Sequence, residues 1–187
     1  MKPRHSDSLL LIWRVAEFEA RQLNASSIEP VHLLLGLCKT VDLDLPALNS
    51  KDAPDRDEVL EELLREVRRL RTVFRTAQVN ARTLRRKLRS SSPEPRFTLD
   101  GPERLHRSDA SKRVFADAEH FAQIAGSVVY PAHLLYAVLL GEDTRRDDAF
   151  RELSIDKPRF QEVAKREVVF SRDLAPTPTS KKKARWN

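Results

Sequence analysis

The sequence predicts an all-α protein, and three observations support this: few glycines, helical spacing of apolar residues, and an internal repeat. The 187 residues include 4 glycines, and 6% are aromatic, whereas sheet-rich folds use more turn glycines and more β-branched runs. Apolar residues recur in steps of three and four. Matching residues return about 101 positions later. The chain is therefore expected to hold two related helical units, with enough residues for a sizeable core.

Residues 1–54 are predicted to form the first part of the first unit. Ser6 or Asp7 can cap a helix over 6–24, since a side-chain oxygen there accepts from first-turn amides. A second helix begins at Pro30, where the missing amide of proline does no harm. It is apolar almost all round and should be buried. Residues 39–54 are predicted to be mostly connection, with a short helix near 46–49.

Residues 55–89 are predicted to form one long helix between the two units. Apolar residues on it follow a heptad pattern over about four heptads, and acidic residues come early while basic ones come late. We expect its later part to mediate self-association, such as a homodimer through 60–88, or docking of a partner; the alternative is a helix that folds back onto its own unit. The residues expected to carry this contact are Leu70, Phe74, Ala77, Ala81, Leu84 and Leu88.

Residues 90–107 are predicted to be a linker, because their prolines and glycine cannot continue a helix. Residues 108–172 form the second unit. Its helices start after Ser108, at Pro131, near Asp148 and near Lys157, and Gly126 ends the first of them. Residues 173–187 contain two prolines and a basic run and are expected to be a disordered basic tail.

The repeat is carried by short motifs that occur twice in the same order. Ser6-Asp7 matches Ser108-Asp109, and Pro30-Val-His-Leu-Leu34 matches Pro131-Ala-His-Leu-Leu135. This pattern resembles the N-terminal domain of the Clp-type AAA+ unfoldases. The resemblance implies a tandem, pseudo-twofold pair of four-helix units that binds substrate proteins, disordered segments or adaptors. The chain lacks the phosphate-binding motif Gly-x-x-x-x-Gly-Lys-Ser/Thr, so we expect such a module as a stand-alone protein without the ATPase.

The resemblance also implies where a partner would bind. One branch of the family recognises phosphorylated arginine with a threonine at the first-helix start and a glutamate before the histidine. Ser6 and Ser108 stand at the threonine positions, and Val31 and Ala132 stand at the glutamate positions. Apolar side chains cannot pair with a guanidinium, and Glu29 would point about 200° away on a helix. These four positions are therefore predicted to bind apolar or extended peptide.

The sequence offers no convergent set of catalytic or metal-binding residues, so we predict that the chain is not an enzyme and takes no cofactor. His32 and His133 are related by the repeat, and each is expected to bond a backbone group at a helix start, since no second ligand follows at zinc spacing. Cys38 lies in an apolar run and is read as a buried small hydrophobe. A single cysteine suits a reduced cytoplasm.

The leading functional prediction is a peptide-recognition or adaptor module that works with a Clp-type machine, its client or its adaptor. A net charge of +6 and a pI near 9.7 leave one alternative, a nucleic-acid-associated protein that uses the Arg82–Arg89 and Lys181–Arg185 clusters. The sequence disfavours it because no recognition helix or stacking aromatics accompany them. The apolar stretch at Leu9 is too short to cross a membrane.

Overall fold

The fold consists of eight α-helices and two short strands within the described residues, which are 3–43, 56–91 and 105–170 of this computed structural model. The elements in chain order are α1 (Asp7–Gln22), β1 (Ser27–Ile28), α2 (Pro30–Asp42), α3 (Arg56–Thr76), α4 (Ala81–Ser90), β2 (His106–Arg107), α5 (Asp109–Ala125), α6 (Pro131–Leu140), α7 (Thr144–Glu152) and α8 (Lys157–Phe170). The predicted all-α class is confirmed. Predictions for a short helix at 46–49 and a tail at 173–187 fall outside the described residues.

The helices begin where side-chain caps are available. Ser6 and Ser108 cap α1 and α5 by accepting from Leu9 and Ser111 N–H, which satisfies first-turn amides that have no partner within the helix. Asn80 caps α4 in the same way. The predicted serine caps are therefore confirmed.

The core is built around α2 and α6, the two proline-opened helices. Every residue of α2 from Pro30 to Cys38 is buried, as predicted. α1 crosses α2 closely at Gly36: a Cβ there would lie 2.7 Å from the backbone oxygen of Ile12 and 3.2 Å from the backbone nitrogen of Ala16. A glycine is required here because no side chain fits between the two backbones.

Four helices end in the same way, with one residue in the left-handed region: Asn24 after α1, Gln78 after α3, Gly126 after α5 and Ser154 after α7. After α3, Val79 N–H donates to Phe74 O at 2.8 Å and Gln78 N–H donates to Arg75 O at 3.0 Å. This is the Schellman motif. The motif recurs at the first and third helix of each half of the chain.

An arginine from the third helix of each half caps the end of the central helix; Arg146 is buried and Arg71 is half-buried. From α3, Arg71 donates through Nε to Val41 O at 2.7 Å and through Nη2 to Leu43 O. From α7, Arg146 donates to Val138 O and, at 2.7 Å, to Gly141 O. Carbonyls at a helix end lack an intrahelical donor, so each arginine ties the third helix of its half to the second.

The prediction of one long helix over 55–89 is wrong. The chain reverses at the Schellman turn around Gln78, whose φ is 60°, and α4 then starts at Ala81. α4 is held against α1 by Glu19, whose carboxylate accepts from Arg85 at 2.8 Å and from Arg89 at 2.7 Å. The heptad pattern runs through the turn because residues on both sides of it face the same core.

The residues predicted to form an exposed docking seam are all buried within the chain. Their exposed fractions lie between 0% for Leu84 and 5% for Ala81. A second copy could reach them only by unfolding α3 or α4, so the predicted docking surface is wrong and the folded-back alternative holds. The six residues are Leu70, Phe74, Ala77, Ala81, Leu84 and Leu88.

The boundaries of the remaining elements differ from the predictions in detail. β2 occupies His106–Arg107 in what was predicted to be linker, and α7 begins at Thr144, four residues before Asp148. α8 matches its predicted start at Lys157. No helix in the described ranges is long and apolar enough to span a membrane.

Candidate functional site

The four helix starts predicted to bind a partner lie in two pairs, and each pair combines a helix start from the first half of the chain with one from the second half. β1 and β2 run parallel, and Ser108 N–H donates to Ile28 O at 3.1 Å. In the other pair, Ser6 N–H donates to Val129 O at 3.1 Å. The start of α5 therefore lies beside the start of α2, and the start of α1 lies beside the start of α6. The family resemblance placed each serine with the proline-opened helix of its own unit; the structure places it with that of the other unit.

His32 and His133 confirm the prediction that each bonds a backbone group at its helix start. The Nδ1 atom of His32 accepts from Glu29 N–H at 2.9 Å, and that of His133 accepts from Tyr130 N–H at 3.0 Å. Burial lowers the pKa of each imidazole to about 4, and the nearby Arg145 contributes at His32. Both rings are therefore neutral at pH 7 with the proton on Nε2. Both Nε2 atoms are buried and have no hydrogen-bond partner among the described residues.

The site at the start of α6 is closed by Glu66. Ser6 Oγ donates to Glu66 Oε2 at 2.7 Å, and Ser8 Oγ donates to the same oxygen. Burial raises the pKa of Glu66, although both serine hydroxyls favour its ionised form. The space left beside Glu66 and Ala132 is about 20 Å³, which is room for about one water. This half therefore has no space for a peptide side chain at Ala132.

The site at the start of α2 is open. A cleft of about 440 Å³, the α2 cleft, lies where the loop after α1 and the starts of α2, α5 and α7 converge. Val31 and His32 lie on its wall, but Ser108 does not and serves only as the α5 cap. The two sites are thus alike in sequence but unlike in volume. The lining residues are Leu23, Asn24, Ala25, Ser26, Ser27, Glu29, Pro30, Val31, His32, Ala110, Glu142, Asp143, Thr144 and Arg145.

Three carboxylates line the α2 cleft, which corrects the expectation of an apolar groove. Glu29 reaches it because its backbone is extended, with φ −89° and ψ 164°, so the rotation expected on a helix does not apply. Ser27 Oγ donates to Glu29 Oε1 at 2.6 Å and fixes that side chain. Glu142 and Asp143 lie at the start of α7, with Arg145 as the cation among the lining residues. The cleft therefore carries more negative than positive charge.

The basic cluster at Arg82–Arg89 is mostly engaged within the chain. Arg85 and Arg89 bind the buried carboxylate of Glu19. Arg82 lies 3.7 Å from Asp42, and Lys87 pairs with Glu152. Arginines that are already paired with carboxylates contribute little to phosphate binding. These pairs weaken the nucleic-acid alternative. Lys181–Arg185 lies outside the described residues.

Cys38 is buried, as predicted, and burial raises the pKa of its thiol. A thiol held in the neutral form is a poor nucleophile. Within the described ranges, no three His, Cys, Asp or Glu side chains come together as a metal site would need.

Comparison with solved structures identifies the class of fold: it is that of the N-terminal domains of Clp and Hsp104 chaperones. One similar structure is the Hsp104 N-terminal domain from Candida albicans, with 19% identity and a TM-score of 0.60, covering 86% of this chain and 89% of that one. Another is the N-terminal domain of the caseinolytic protease associated chaperone ClpD from Arabidopsis thaliana, with 15% identity, a TM-score of 0.59, and coverage of 88% and 94%.

A third similar structure comes from structural investigations of a malarial protein secretion system. It has 18% identity and a TM-score of 0.59, and the match covers 88% of this chain and 95% of that one. No family model matches the sequence, and no curated protein matches it. The predicted all-α fold, like that of Clp-type N-terminal domains, is confirmed, and at these identities the likeness concerns the fold alone.

Proposed function

We propose that this chain is a non-enzymatic recognition module that binds an extended segment of a partner protein in the α2 cleft. The observation that carries the proposal is the cleft itself: about 440 Å³ at the start of α2, where the corresponding space beside α6 is about 20 Å³. The sequence predicted peptide contacts at both Val31 and Ala132, and the open space lies beside Val31.

The wall of the cleft suits a peptide with a basic side chain. Glu29 and Glu142 can attract a lysine or arginine side chain. Pro30 and Val31 provide apolar contact between these polar groups.

A Clp-type machine, one of its clients or one of its adaptors is the class of partner that we infer. The support is the shared fold with the N-terminal domains of Hsp104 and ClpD, which are chaperones by name. The sequence lacks the phosphate-binding motif Gly-x-x-x-x-Gly-Lys-Ser/Thr, and we infer that its contribution to such a system is recognition. Working in a cytoplasm with reduced thiols fits the single buried cysteine.

A bulky residue placed in the cleft tests the proposal. Ala110 lies on the cleft wall, whereas Ala116 is exposed on the same helix and is not among the lining residues. We expect Ala110→Trp to weaken binding of a fluorescein-labelled twelve-residue peptide of alternating lysine and alanine by at least about tenfold. Ala116→Trp should leave the Kd within about twofold. Equal Kd values for both variants would overturn the proposal.

A further inference from the structure

A stripe of arginines runs along the exposed face of α3. Arg65, Arg68 and Arg75 are all exposed, and their spacing of three and seven residues, with Thr72 between, places them on one face of the helix. Ten residues of helix span about 15 Å. These three residues are called the α3 arginine stripe.

Within the described residues, the three arginines of the stripe have no counter-charge; other exposed arginines such as Arg86 and Arg113 also lack one, but they lie on separate elements, whereas the stripe places three on one helix face. No ion pair or side-chain hydrogen bond joins Arg65, Arg68 or Arg75 to any residue in the described ranges. Elsewhere the pairing is dense. Arg14 and Arg21 flank Glu17, Lys157 pairs with Asp147, and other pairs link Arg82, Arg85, Lys87, Arg89, Lys112, Arg146, Arg151 and Arg166 to carboxylates.

A groove lies beside the first part of the stripe. It has a volume of about 350 Å³ and is lined by Arg65, Arg68, Arg69, Thr72 and Glu167. Arg69 lies 3.6 Å from Glu167 across the groove, so α8 forms the opposite wall. Like charges three and four residues apart destabilise a helix. A partner that supplies anions along this face would relieve that repulsion.

We propose that the α3 arginine stripe and its groove dock an acidic segment of a partner protein, independently of the α2 cleft. Guanidinium groups bind carboxylates in a two-pronged geometry. An extended segment with an acidic residue at every second position presents one carboxylate about every 7 Å on one side, which allows two or three contacts along the stripe.

Protein is favoured over nucleic acid by the charges between the arginines. Glu62 lies one turn before Arg65, and Glu167 forms part of the groove wall. A phosphate backbone carries charge at every nucleotide and would meet both carboxylates. A peptide can place neutral residues opposite them. Charge complementarity of this interrupted kind gives specificity as well as attraction.

The test compares two triple variants that lose the same charge. Arg65→Gln/Arg68→Gln/Arg75→Gln removes the stripe. The control, Arg4→Gln/Arg86→Gln/Arg113→Gln, removes three exposed arginines from other elements. The probe is a fluorescein-labelled twelve-residue peptide of alternating glutamate and alanine, titrated with the full chain in 50 mM NaCl. We expect the stripe variant to bind about tenfold more weakly than wild type and the control to stay within about twofold.

Three results would overturn the proposal. One is equal weakening in both variants, which would mean that net charge alone attracts the peptide. Another is the lack of measurable binding of the glutamate peptide to wild type. The third is stripe-dependent binding of a twelve-nucleotide single-stranded DNA that is tighter than binding of the peptide. Ala110→Trp should leave peptide binding at the stripe unchanged, so failure of the cleft proposal and failure of this one are distinguishable.

Discussion

Replacing Glu19 with glutamine tests how α4 is attached to α1. The Glu19 carboxylate is fully buried and accepts three hydrogen bonds: two from Arg85, at 3.1 and 2.8 Å, and one from Arg89 at 2.7 Å. Glutamine keeps one acceptor oxygen but turns an NH₂ group toward a guanidinium. The substitution therefore removes the charge, loses at least one hydrogen bond and brings two donors together.

The expected cost is about 3 kcal/mol of unfolding free energy. A hydrogen bond to a charged group contributes about 1.5–3 kcal/mol, and breaking a buried pair costs about 3–5 kcal/mol. The lower figure applies because Arg85 and Arg89 are 23% and 38% exposed, so that water can partly solvate them once the carboxylate is lost. The matched control is Glu17→Gln, whose exposed pairs with Arg14 and Arg21 account for about 0.5 kcal/mol.

Urea unfolding followed by circular dichroism at 222 nm measures both variants. A double-mutant cycle with Arg85→Gln/Arg89→Gln isolates the coupling, which should exceed about 1 kcal/mol. If Glu19→Gln cost no more than Glu17→Gln, the Glu19 carboxylate would not hold α4 on α1, and the attachment of α4 would be explained by the burial of Leu84 and Leu88.

Three further predictions concern the histidines, the close helix crossing and the turn after α3. Because burial lowers the pKa of His32 and His133 from 6.5 to about 4, the unfolded chain binds protons first as pH falls. Stability should therefore drop between pH 6.5 and 4 by about 3 kcal/mol per histidine, and His32→Asn/His133→Asn should flatten this dependence of the urea midpoint. Gly36→Ala should cost about 1–3 kcal/mol in urea unfolding, while Gly141→Ala, whose Cβ would approach nothing closer than 3.8 Å, should change stability by less than about 0.5 kcal/mol. Gln78 Oε1 accepts from Arg159 at 2.8 Å, so the substitution is measured in an Arg159→Ala background. There Gln78→Gly should raise the melting temperature by removing about 1 kcal/mol of strain at φ 60°; a decrease would indicate a continuous helix, in which glycine is destabilising.

The helices that the sequence predicted well are those with both a cap and a one-sided apolar pattern. α5 has a serine cap, an apolar face and Gly126 at its end. α2 and α6 each have a proline at the start and an apolar run. In these elements the local signals and the long-range burial agree, so the sequence pattern is sufficient.

The turn after α3 was missed because its residues do not interrupt the hydrophobic pattern. Ala77 and Ala81 lie on either side of the turn, are both buried, and keep the step of four residues. A signal was nevertheless present in the second half, where Ser154-Ile155-Asp156 ends α7 and caps α8. Gln78-Val79-Asn80 has the same order as Ser154-Ile155-Asp156: a left-handed residue, an apolar residue and a helix cap. Aligning the two segments would have predicted the turn after α3.

The sequence predicted which positions belong to the site, but not which of them lie together or how much space is between them. The crossed pairing of helix starts depends on two-residue strands and a single bridge between His5 and Val129, which leave almost no trace in the sequence. Glu66 closes one site from sixty residues beyond Ser6, so no local pattern reveals it. Glu29 reaches the α2 cleft because its backbone is extended. A helical wheel assumes helical backbone at this position and therefore places its side chain on the wrong side.

A map of amide chemical shifts tests the central claim most directly. On titration of the ¹⁵N-labelled chain with an unlabelled twelve-residue peptide of alternating lysine and alanine, the largest changes should fall on amides around the α2 cleft, including Ser26, Val31 and Thr144. Amides beside the closed site, such as Ala132, should change little. Changes centred away from the cleft, or none at saturating probe, would contradict the conclusion that the open helix start is where this protein binds its partner.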